Sequence, residues 1–212
     1  MPEPPSIGDP TPGVPGLLVL LSGSGRTLVN LAQAIAQAHL RARIAGVIAS
    51  RVCAGCDRAR ELGIQPLVLP GLIPGNELAQ AAGSAGASLI VLAGYLQRVD
   101  VPAKFAGRVV NIHPALLPSF GGKGMYGDHV HRAVLSAGCK VSGCTVHLVD
   151  AEYDRGPIVA QRACEVLDND TPASLAARVF ALECEAYPAA ISLLLSGCAH
   201  VVGQRVLAGA PA

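Results

Sequence analysis

The strongest constraint on the fold is a short apolar run, Leu17–Leu21, that ends in a glycine-rich turn. Such a run between Gly16 and Ser22 predicts a strand that is buried on both faces. Similar runs recur between helical patterns, at residues 44–49, 66–69, 88–93 and 109–112. Strands that alternate with helices favour an open, twisted, mostly parallel sheet with helices on both faces. We therefore expect an α/β fold of Rossmann-like type.

Helices are predicted where apolar residues recur at helical spacing or where a capping residue precedes the pattern. These segments are 26–39, 55–62, 76–85, 101–105, 130–137 and 172–195. Thr171-Pro172 is a typical helix start, and Pro188 is expected to kink or divide the last helix. Closely spaced strands at 140–149 and 157–165 indicate a mixed sheet in the C-terminal half.

Both ends of the chain are expected to lie outside the main domain. Residues 1–16 contain six Pro and three Gly, a composition that predicts an extended, disordered tail. The length of 212 residues suits one domain, which we place at 17–197. The remaining segment, 198–212, is predicted to be a C-terminal tail with a short hairpin through Gly203-Gln204.

Charge and composition argue against several classes of protein. Sixteen Lys and Arg balance fifteen Asp and Glu, and aromatic residues make up only 3%, which disfavours nucleic-acid binding. No run approaches the ~18 apolar residues of a membrane span, and the N-terminus lacks a signal-peptide pattern. Seven scattered Cys do not suggest a disulfide framework. We expect a cytoplasmic protein with reduced thiols and no membrane or nucleic-acid partner.

The first candidate site is the loop Ser22–Thr27, SGSGRT, between the first strand and the first helix. Glycines let a ligand approach the backbone, and the N–H groups at a helix start favour an anion. Arg26 and Thr27 could add side-chain donors to a phosphate. The loop matches neither the dinucleotide fingerprint nor the Walker motif. The alternative is a tight turn without a ligand.

The second candidate site is Asn111-Ile112-His113-Pro114, at the end of a predicted strand. Ligands of open α/β sheets bind at such strand ends, and the side chains of Asn111 and His113 point to the same side. A His can transfer protons near neutral pH, and an Asn can donate hydrogen bonds to an oxyanion. The alternative is a capping Asn beside a structural His.

The acidic turn at residues 150–157 could place a carboxylate near His113, where it would stabilise the imidazolium and raise its pKa. The alternative is a solvated hairpin loop. His147, on the preceding strand, is interpreted as a structural histidine with satisfied hydrogen bonds. The Gly-rich residues 121–127 suggest a mobile loop beside the site.

The pair Cys53-Ala-Gly-Cys56 allows a metal or redox interpretation. A structural zinc site needs four ligands, usually from two such pairs, and the sequence has no second C-x-x-C. Buried, reduced thiols are the favoured interpretation, so no metal is expected.

Three segments together resemble the folate-dependent formyltransferases: LLSGSGRTLVNL at 20–31, NIHPALLPSF at 111–120 and VSGCTVHLVDAEYDRGPIVAQ at 141–161. Their order and separation also match, and the likeness covers about 17–197. The string His-Pro-x-Leu-Leu-Pro is very specific to this group. Within the group, the Ser-Gly-x-Gly loop is similar to that of the glycinamide ribonucleotide formyltransferases.

The resemblance implies the formyltransferase type of α/β fold and transfer of the formyl group of 10-formyltetrahydrofolate, the cosubstrate. The acceptor would be the amine of glycinamide ribonucleotide, a step of purine synthesis that passes through a tetrahedral intermediate and needs no metal. Asn111 and His113 would stabilise the oxyanion, and Asp154 would hold His113 protonated. The protein would act on small molecules as a monomer or homodimer.

Further residues are carried over from the family pattern. Gly25, Arg26 and Thr27 would bind the substrate phosphate region, and Glu183 would meet the glycinamide amine. The folate pocket would be lined by Leu96, Gln97, Arg98 and Val99, together with the catalytic residue Asn111.

Two departures from the family pattern concern the binding loops. Arg26-Thr27 stands where members often have Ser-Asn or a similar polar pair, which changes the atoms available to the phosphate. Residues 120–131 are longer than the shortest family version, and we match His131 to the His of that segment.

Three other functions remain as alternatives to formyl transfer to glycinamide ribonucleotide. Methionyl-tRNA formyltransferase resembles the same fold but carries an additional C-terminal domain for tRNA. Formyltetrahydrofolate deformylase has an added N-terminal domain. A non-catalytic module that binds a phosphorylated ligand would keep the loop at Ser22–Thr27 and have no use for Asn111, His113 and Asp154 together.

Overall fold

The structure, a computed structural model, describes residues 13–209. Most of the predicted N-terminal tail, residues 1–12, and the last three residues lie outside the described residues. The chain divides into two compact units, one up to Val109 and one from Val110. One domain over 17–197, with tails on either side, stays a prediction.

The unit up to Val109 contains four parallel strands in the order β3-β2-β1-β4. Their bounds are β1 Gly16–Leu21, β2 Arg43–Ala49, β3 Leu67–Val68 and β4 Ala87–Leu92. Every residue of β1 is buried, as its unbroken apolar run predicts. The carboxyl ends of parallel strands meet at one edge, so the loops that follow β1, β2 and β4 are neighbours.

The helices of this unit are α1 Arg26–Ala36, α2 Ala54–Glu61 and α3 Gly75–Ser84, with a 3₁₀ turn at Ala103–Phe105. The prediction that α1 continues to residue 39 is wrong. Ala38 has a positive φ of 58°, and the N–H groups of residues 38–40 bond back to carbonyls of the last helical turn. This left-handed C-terminal turn ends the helix and returns the chain toward the buried Leu40.

The unit from Val110 is mixed. It contains β5 Val109–His113, β6 Val141–Leu148, β7 Ile158–Glu165, β8 Ala199–Val202 and β9 Arg205–Ala208. The order is β5-β6-β7-β9-β8, and β9 is parallel to β7 while the other pairs are antiparallel. The pair β8–β9 is an antiparallel hairpin that turns at Gly203-Gln204.

Two helices belong to this unit, α4 Asp128–Ser136 and α5 Pro172–Leu195. Thr171 caps α5, since its hydroxyl accepts from the Ser174 N–H and the Ser174 hydroxyl accepts in return from the Thr171 N–H. The helix is continuous through Pro188, so the predicted division is wrong, while the predicted kink stays a prediction. Pro188 is buried in a helix that continues for seven more residues, to Leu195, because apolar packing outweighs the hydrogen bond that Pro cannot donate.

The predicted α/β class is confirmed, with parallel strands in the first half and mixed strands in the second. Within residues 13–209, no helix combines the length and the apolar character that a membrane crossing requires.

Candidate active site

The two predicted catalytic side chains on β5 face two polar residues of β6. In the antiparallel register Asn111 pairs with His147, and His113 pairs with Thr145. Because side chains alternate along a strand, all four lie on the same face of the strand pair. His113, Thr145 and His147 are buried, and Asn111 is half-buried. The sheet therefore presents a compact polar group in otherwise apolar surroundings.

Asn111 donates to His147, with Nδ2 and Nε2 3.0 Å apart. The other ring nitrogen of His147, Nδ1, lies 2.9 Å from the carbonyl oxygen of Leu148. A carbonyl can only accept, so Nδ1 carries a proton and, in the neutral ring, Nε2 accepts from Asn111. His147 thus fixes the amide orientation of Asn111 and leaves its second N–H for another acceptor.

His113 contacts an acceptor at each ring nitrogen. Nε2 lies 2.8 Å from the carbonyl oxygen of Phe120, and Nδ1 lies 3.6 Å from Oδ2 of Asp154. Burial lowers the pKa of His113 below its ordinary value, while Asp154 and the Phe120 carbonyl raise it by less. The expectation that Asp154 holds His113 protonated stays a prediction: the Asp154 charge raises the pKa of His113, as expected, but by less than burial lowers it.

Asp154 joins the same polar group. Its Oδ2 accepts from the Gly122 N–H at 2.8 Å, and its Oδ1 lies 3.5 Å from Nε2 of His147. Burial alone would raise the pKa of Asp154, but His147, His113 and the Gly122 N–H together lower it below its ordinary value. The Asp154 side chain is therefore a largely enclosed carboxylate, 10% exposed, in a turn whose neighbouring residues 151–153 and 155 are exposed. The solvated-loop alternative describes the rest of the turn but not Asp154.

Backbone strain accompanies both partners of His113. Phe120 and Asp154 have φ angles of 56° and 57°, in the left-handed region that residues other than Gly rarely adopt. Each such residue costs about 1–3 kcal/mol and persists only where its surroundings hold it. In these two turns the strained conformations direct a carbonyl and a carboxylate at the two nitrogens of His113.

The Thr145 hydroxyl holds the segment that follows β5. It donates to the carbonyl of Ala115 at 2.7 Å and accepts from the Leu117 N–H at 3.0 Å. Gln161, which faces Thr145 from β7, donates to the same hydroxyl and to the Leu117 carbonyl. This network fixes residues 115–117, which lead to the Phe120 carbonyl.

A cavity of about 600 Å³ borders Asp154 within this unit, a size that suits a small-molecule ligand. Its lining includes Leu117, Pro118, Ile158 and, from the hairpin turn, Gln204. The Asp154 carboxylate therefore lies between the polar group and the cavity.

The predicted anion loop, in the other unit, is organised by Ser22. Its hydroxyl accepts from Ser50 at 2.7 Å and from the Leu96 N–H at 2.9 Å, and its carbonyl accepts from Nε of Arg51. Ser22 thereby joins the loops that follow β1, β2 and β4. Gly25 has a φ of 73°, and no side chain caps α1, which begins at the exposed Arg26.

Comparison with known proteins gives this geometry a context. The sequence profile described as Formyl transferase matches residues 16–191. The chain belongs to the formyl transferase family.

Relatives within the family carry a more specific name. The chain is 35% identical to the phosphoribosylglycinamide formyltransferase of Mycobacterium tuberculosis, over 91% of either chain. It is 40% identical to a chloroplastic phosphoribosylglycinamide formyltransferase of Arabidopsis thaliana, over 81% of this chain, and spans 62% of that relative's length. The crystal structure of glycinamide ribonucleotide transformylase 1 from Symbiobacterium toebii superimposes with a TM-score of 0.84 at 36% identity, covering 94% of this chain and 96% of that one. The resemblance stated from the sequence is confirmed.

The residues that the family pattern adds are placed as follows. Leu96, Gln97 and Arg98 are exposed after β4, whereas Val99 is buried. Glu183 is half-buried on α5, near Cys144 of β6. Burial, followed by the Glu183 charge, raises the pKa of the Cys144 thiol to about 12. Thr27 is half-buried in the first turn of α1.

The remaining candidates concern His and Cys. His131 of α4 is buried, and its Nδ1 has no hydrogen-bond partner in the part of the chain that the structure describes. Burial lowers the pKa of His131, and so does the nearby His113, while Asp128 raises it by less. Over residues 13–209, no three His, Cys, Asp or Glu residues are grouped to hold a metal ion.

Sequence reasoning missed three contributors to the polar group: His147, Thr145 and the Phe120 carbonyl. His147 is satisfied, as expected, but its partners are the predicted catalytic residues. The signal was present, since positions 145 and 147 alternate like 111 and 113. Only the register of β6 against β5 shows that the two pairs face each other. The carbonyl of a strained loop residue leaves no signature in sequence.

Proposed function

We propose that the chain transfers the formyl group of 10-formyltetrahydrofolate to the amine of glycinamide ribonucleotide, a step of purine synthesis. The observation that carries this proposal is the group formed by the half-buried Asn111, the buried His113 and His147, and Asp154 from the turn after β6. Relatives named for this reaction share 35–36% identity over nine tenths or more of the chain.

The reaction needs stabilisation of a negatively charged oxygen. When the amine attacks the formyl carbon, the formyl oxygen becomes an oxyanion in a tetrahedral intermediate. Asn111 is suited to this role because one N–H of its amide is held by His147 while the other is left to donate. A donor fixed before the reaction needs no reorganisation as the charge develops.

His113 would supply the second donor and carry the proton. Its Nε2 currently faces the Phe120 carbonyl, so the formyl oxygen would have to replace that carbonyl as its acceptor. Burial lowers the pKa of this ring below its ordinary value, so the imidazolium that donates to the oxyanion would form as a proton leaves the attacking amine, by way of a water. Asp154 would then stabilise the imidazolium as it forms.

Binding roles are proposed for residues outside the polar group. Gly25, Arg26 and Thr27 would hold the substrate phosphate, since α1 starts without a capping side chain. Glu183 would orient the glycinamide amine. Leu96, Gln97, Arg98 and Val99, with Asn111, would contact the folate; the exposed side chains of the first three suit this role better than the buried Val99.

The chemistry of these residues requires no metal and no covalent enzyme intermediate. The partners are the two small molecules, and the protein would act as a monomer or homodimer without nucleic acid or membrane. A cytoplasmic location is proposed; two plant relatives carry the name chloroplastic.

The test is a folate-release assay on the purified chain with 10-formyltetrahydrofolate, with and without glycinamide ribonucleotide. We expect turnover that requires the ribonucleotide and falls by about 10²–10³ in His113→Ala, as when one oxyanion donor is removed. His39→Ala is the matched control, because His39 is exposed in the turn after α1. Turnover without ribonucleotide would instead identify a deformylase. Folded protein without turnover would favour the non-catalytic module.

A further inference from the structure

The C-x-x-C pair is not part of the polar group, yet it lies against the predicted anion loop. Cys53 is the N-terminal capping residue of α2, and its sulfur lies 4.0 Å from that of Cys56. Both thiols are free; Cys53 is half-buried and Cys56 is buried. A disulfide brings the two sulfurs to about 2.05 Å, so the pair needs an approach of roughly 2 Å to become bonded.

Gly55, between the two cysteines, is packed directly on the anion loop. Its N–H donates to the carbonyl of Gly23 at 2.9 Å. A Cβ added to Gly25 would stand 2.6 Å from the Gly55 Cα, and one added to Gly55 would stand 2.7 Å from Leu21. Real Cβ atoms do not tolerate such distances, so the backbone of Gly55 has no free space on this side.

A second connection runs through Arg51. The Cys56 thiol donates to the Arg51 carbonyl at 3.7 Å, and Nε of Arg51 donates to the Ser22 carbonyl at 2.9 Å. A Cys56 sulfur in a disulfide has no proton to donate, so this first hydrogen bond is lost on oxidation. Both connections end on residues of the same loop, Ser22 and Gly23.

We propose that Cys53 and Cys56 form a reversible disulfide that shifts the loop Ser22–Gly25. The oxidant is a small disulfide such as glutathione disulfide. The Cys53 thiolate attacks one sulfur and releases one glutathione thiolate. Cys56, whose thiol pKa is raised mainly by burial, then loses its proton and attacks the Cys53 sulfur, which releases the second glutathione thiolate. Two protein thiols are oxidised, one small disulfide is reduced to two thiols, and the two protons go to the released thiolates.

The consequence for catalysis rests on the proposed function. If Gly25, Arg26 and Thr27 hold the substrate phosphate, a shifted loop weakens binding of the ribonucleotide and leaves the chemical step intact. The KM for glycinamide ribonucleotide should then rise about tenfold on oxidation, as expected when one hydrogen bond to a charged group is lost. kcat and the KM for the folate should change little.

The experiment treats the reduced full chain with glutathione disulfide, alkylates the remaining thiols and digests with trypsin. Cleavage after Arg51 and Arg58 releases one peptide, 52–58, that contains both cysteines. We expect this peptide to lose two hydrogen atoms and escape alkylation, and dithiothreitol to reverse the change.

Amide hydrogen exchange of residues 22–27 should increase in the oxidised chain. Cys198→Ser should behave like the unmodified chain, whereas Cys53→Ser should show neither effect.

Two outcomes overturn the proposal. One is a 52–58 peptide that is alkylated at both cysteines, or that carries only a stable glutathione adduct, after prolonged oxidation. The other is a disulfide that forms without any change in hydrogen exchange at residues 22–27. Neither readout uses catalysis, so a chain without formyltransferase activity would refute the proposed function and leave this test intact.

Discussion

Asn111 and His147 are directly opposed on neighbouring antiparallel strands, and the amide of one donates to the ring of the other at 3.0 Å. The proton on His147 is in turn directed to its own strand's Leu148 carbonyl. The orientation of the Asn111 amide therefore depends on which nitrogen of a neighbouring imidazole is protonated. If Asn111 acts on the formyl oxygen as proposed, His147 would be a positioning residue that acts through it.

Replacing His147 tests this relationship. His147→Phe removes the acceptor, and we expect kcat to fall by up to about tenfold, the value of one hydrogen bond, with little change in either KM. His147→Gln, which offers a side-chain carbonyl, should recover part of the loss. Asn111→Ala should lower kcat by about 10²–10³.

The double variant Asn111→Ala, His147→Phe separates positioning from general damage. If His147 acts only through Asn111, the double variant should be no slower than Asn111→Ala alone. Multiplicative losses in kcat would contradict the positioning role.

Thr145 offers a test of stability. Thr145→Val keeps the shape but removes the hydroxyl that serves Ala115, Leu117 and Gln161, and it leaves the buried Leu117 N–H without that acceptor. We expect the free energy of unfolding to fall by about 1–3 kcal/mol, measured by urea titration. Thr145→Ser keeps the hydroxyl and should be closer to the unmodified chain. Equal losses in the two variants would assign the effect to packing.

Two glycines of the anion loop provide a matched pair. Gly25→Ala places a Cβ 2.6 Å from the Gly55 Cα at a φ of 73°, so both contact and backbone conformation oppose it. We expect the free energy of unfolding to fall by about 1–3 kcal/mol from the backbone conformation, and further because of the contact with Gly55. Gly23→Ala, which meets nothing within 4 Å, should be nearly neutral in the same thermal or urea experiment. Similar losses at both positions would contradict the packing described for Gly55.

The proton affinity of His113 can be measured directly by NMR titration of its ring. We expect the pKa to lie below the ordinary 6.5, because burial exceeds the opposing effects of Asp154 and the Phe120 carbonyl. Asp154→Asn removes the largest contribution that raises this pKa, so the pKa should fall further. A higher pKa in Asp154→Asn would show that the carboxylate does not stabilise the imidazolium.

The same burial predicts how stability depends on pH. His113 and His131 both have lowered pKa values when folded, so below about pH 6.5 the unfolded chain binds more protons than the folded chain. The free energy of unfolding should therefore decrease as the pH falls through and below this value. Asp154, whose pKa is also lowered, adds a further loss below about pH 4.

His131→Asn isolates one contribution. The free energy of unfolding is measured by urea titration near neutral pH and again about one pH unit below the ordinary His pKa. Between these two pH values it should decrease less in this variant than in the unmodified chain. His39→Asn, at an exposed position, should leave the decrease unchanged. A steeper decrease in His131→Asn would contradict the assigned direction.

Apolar spacing and capping residues were enough to predict the order of the helices and strands along the chain. The buried run of β1 and the Thr171-Pro172 start of α5 depend on the residues themselves, so their sequences carry the signal. The left-handed turn at Ala38 that ends α1 and the unbroken course of α5 through Pro188 left no signal in the apolar spacing, and there the prediction failed.

The candidate site divides in the same way. Asn111, His113 and Asp154 are predicted from strand-end position, the acidic turn and family resemblance, and their catalytic roles stay predictions. The role of His147 depends on the register between two strands separated by 27 residues of intervening chain, 114–140. The lowered pKa of His113 depends on burial, which spacing alone does not reveal.

The pairing of β5 with β6 has a consequence for how such a chain can diverge. The backbone pairing of β5 with β6 aligns Asn111 with His147 and His113 with Thr145. This alignment does not depend on the length of the segment that connects the two strands. The connection is constrained as far as Gly122, whose N–H binds Asp154. We expect the glycine-rich stretch after Gly122 to tolerate changes in length better than the residues before it, as surface loops usually do. Insertions should therefore accumulate over generations after Gly122, while the preceding residues remain fixed in length.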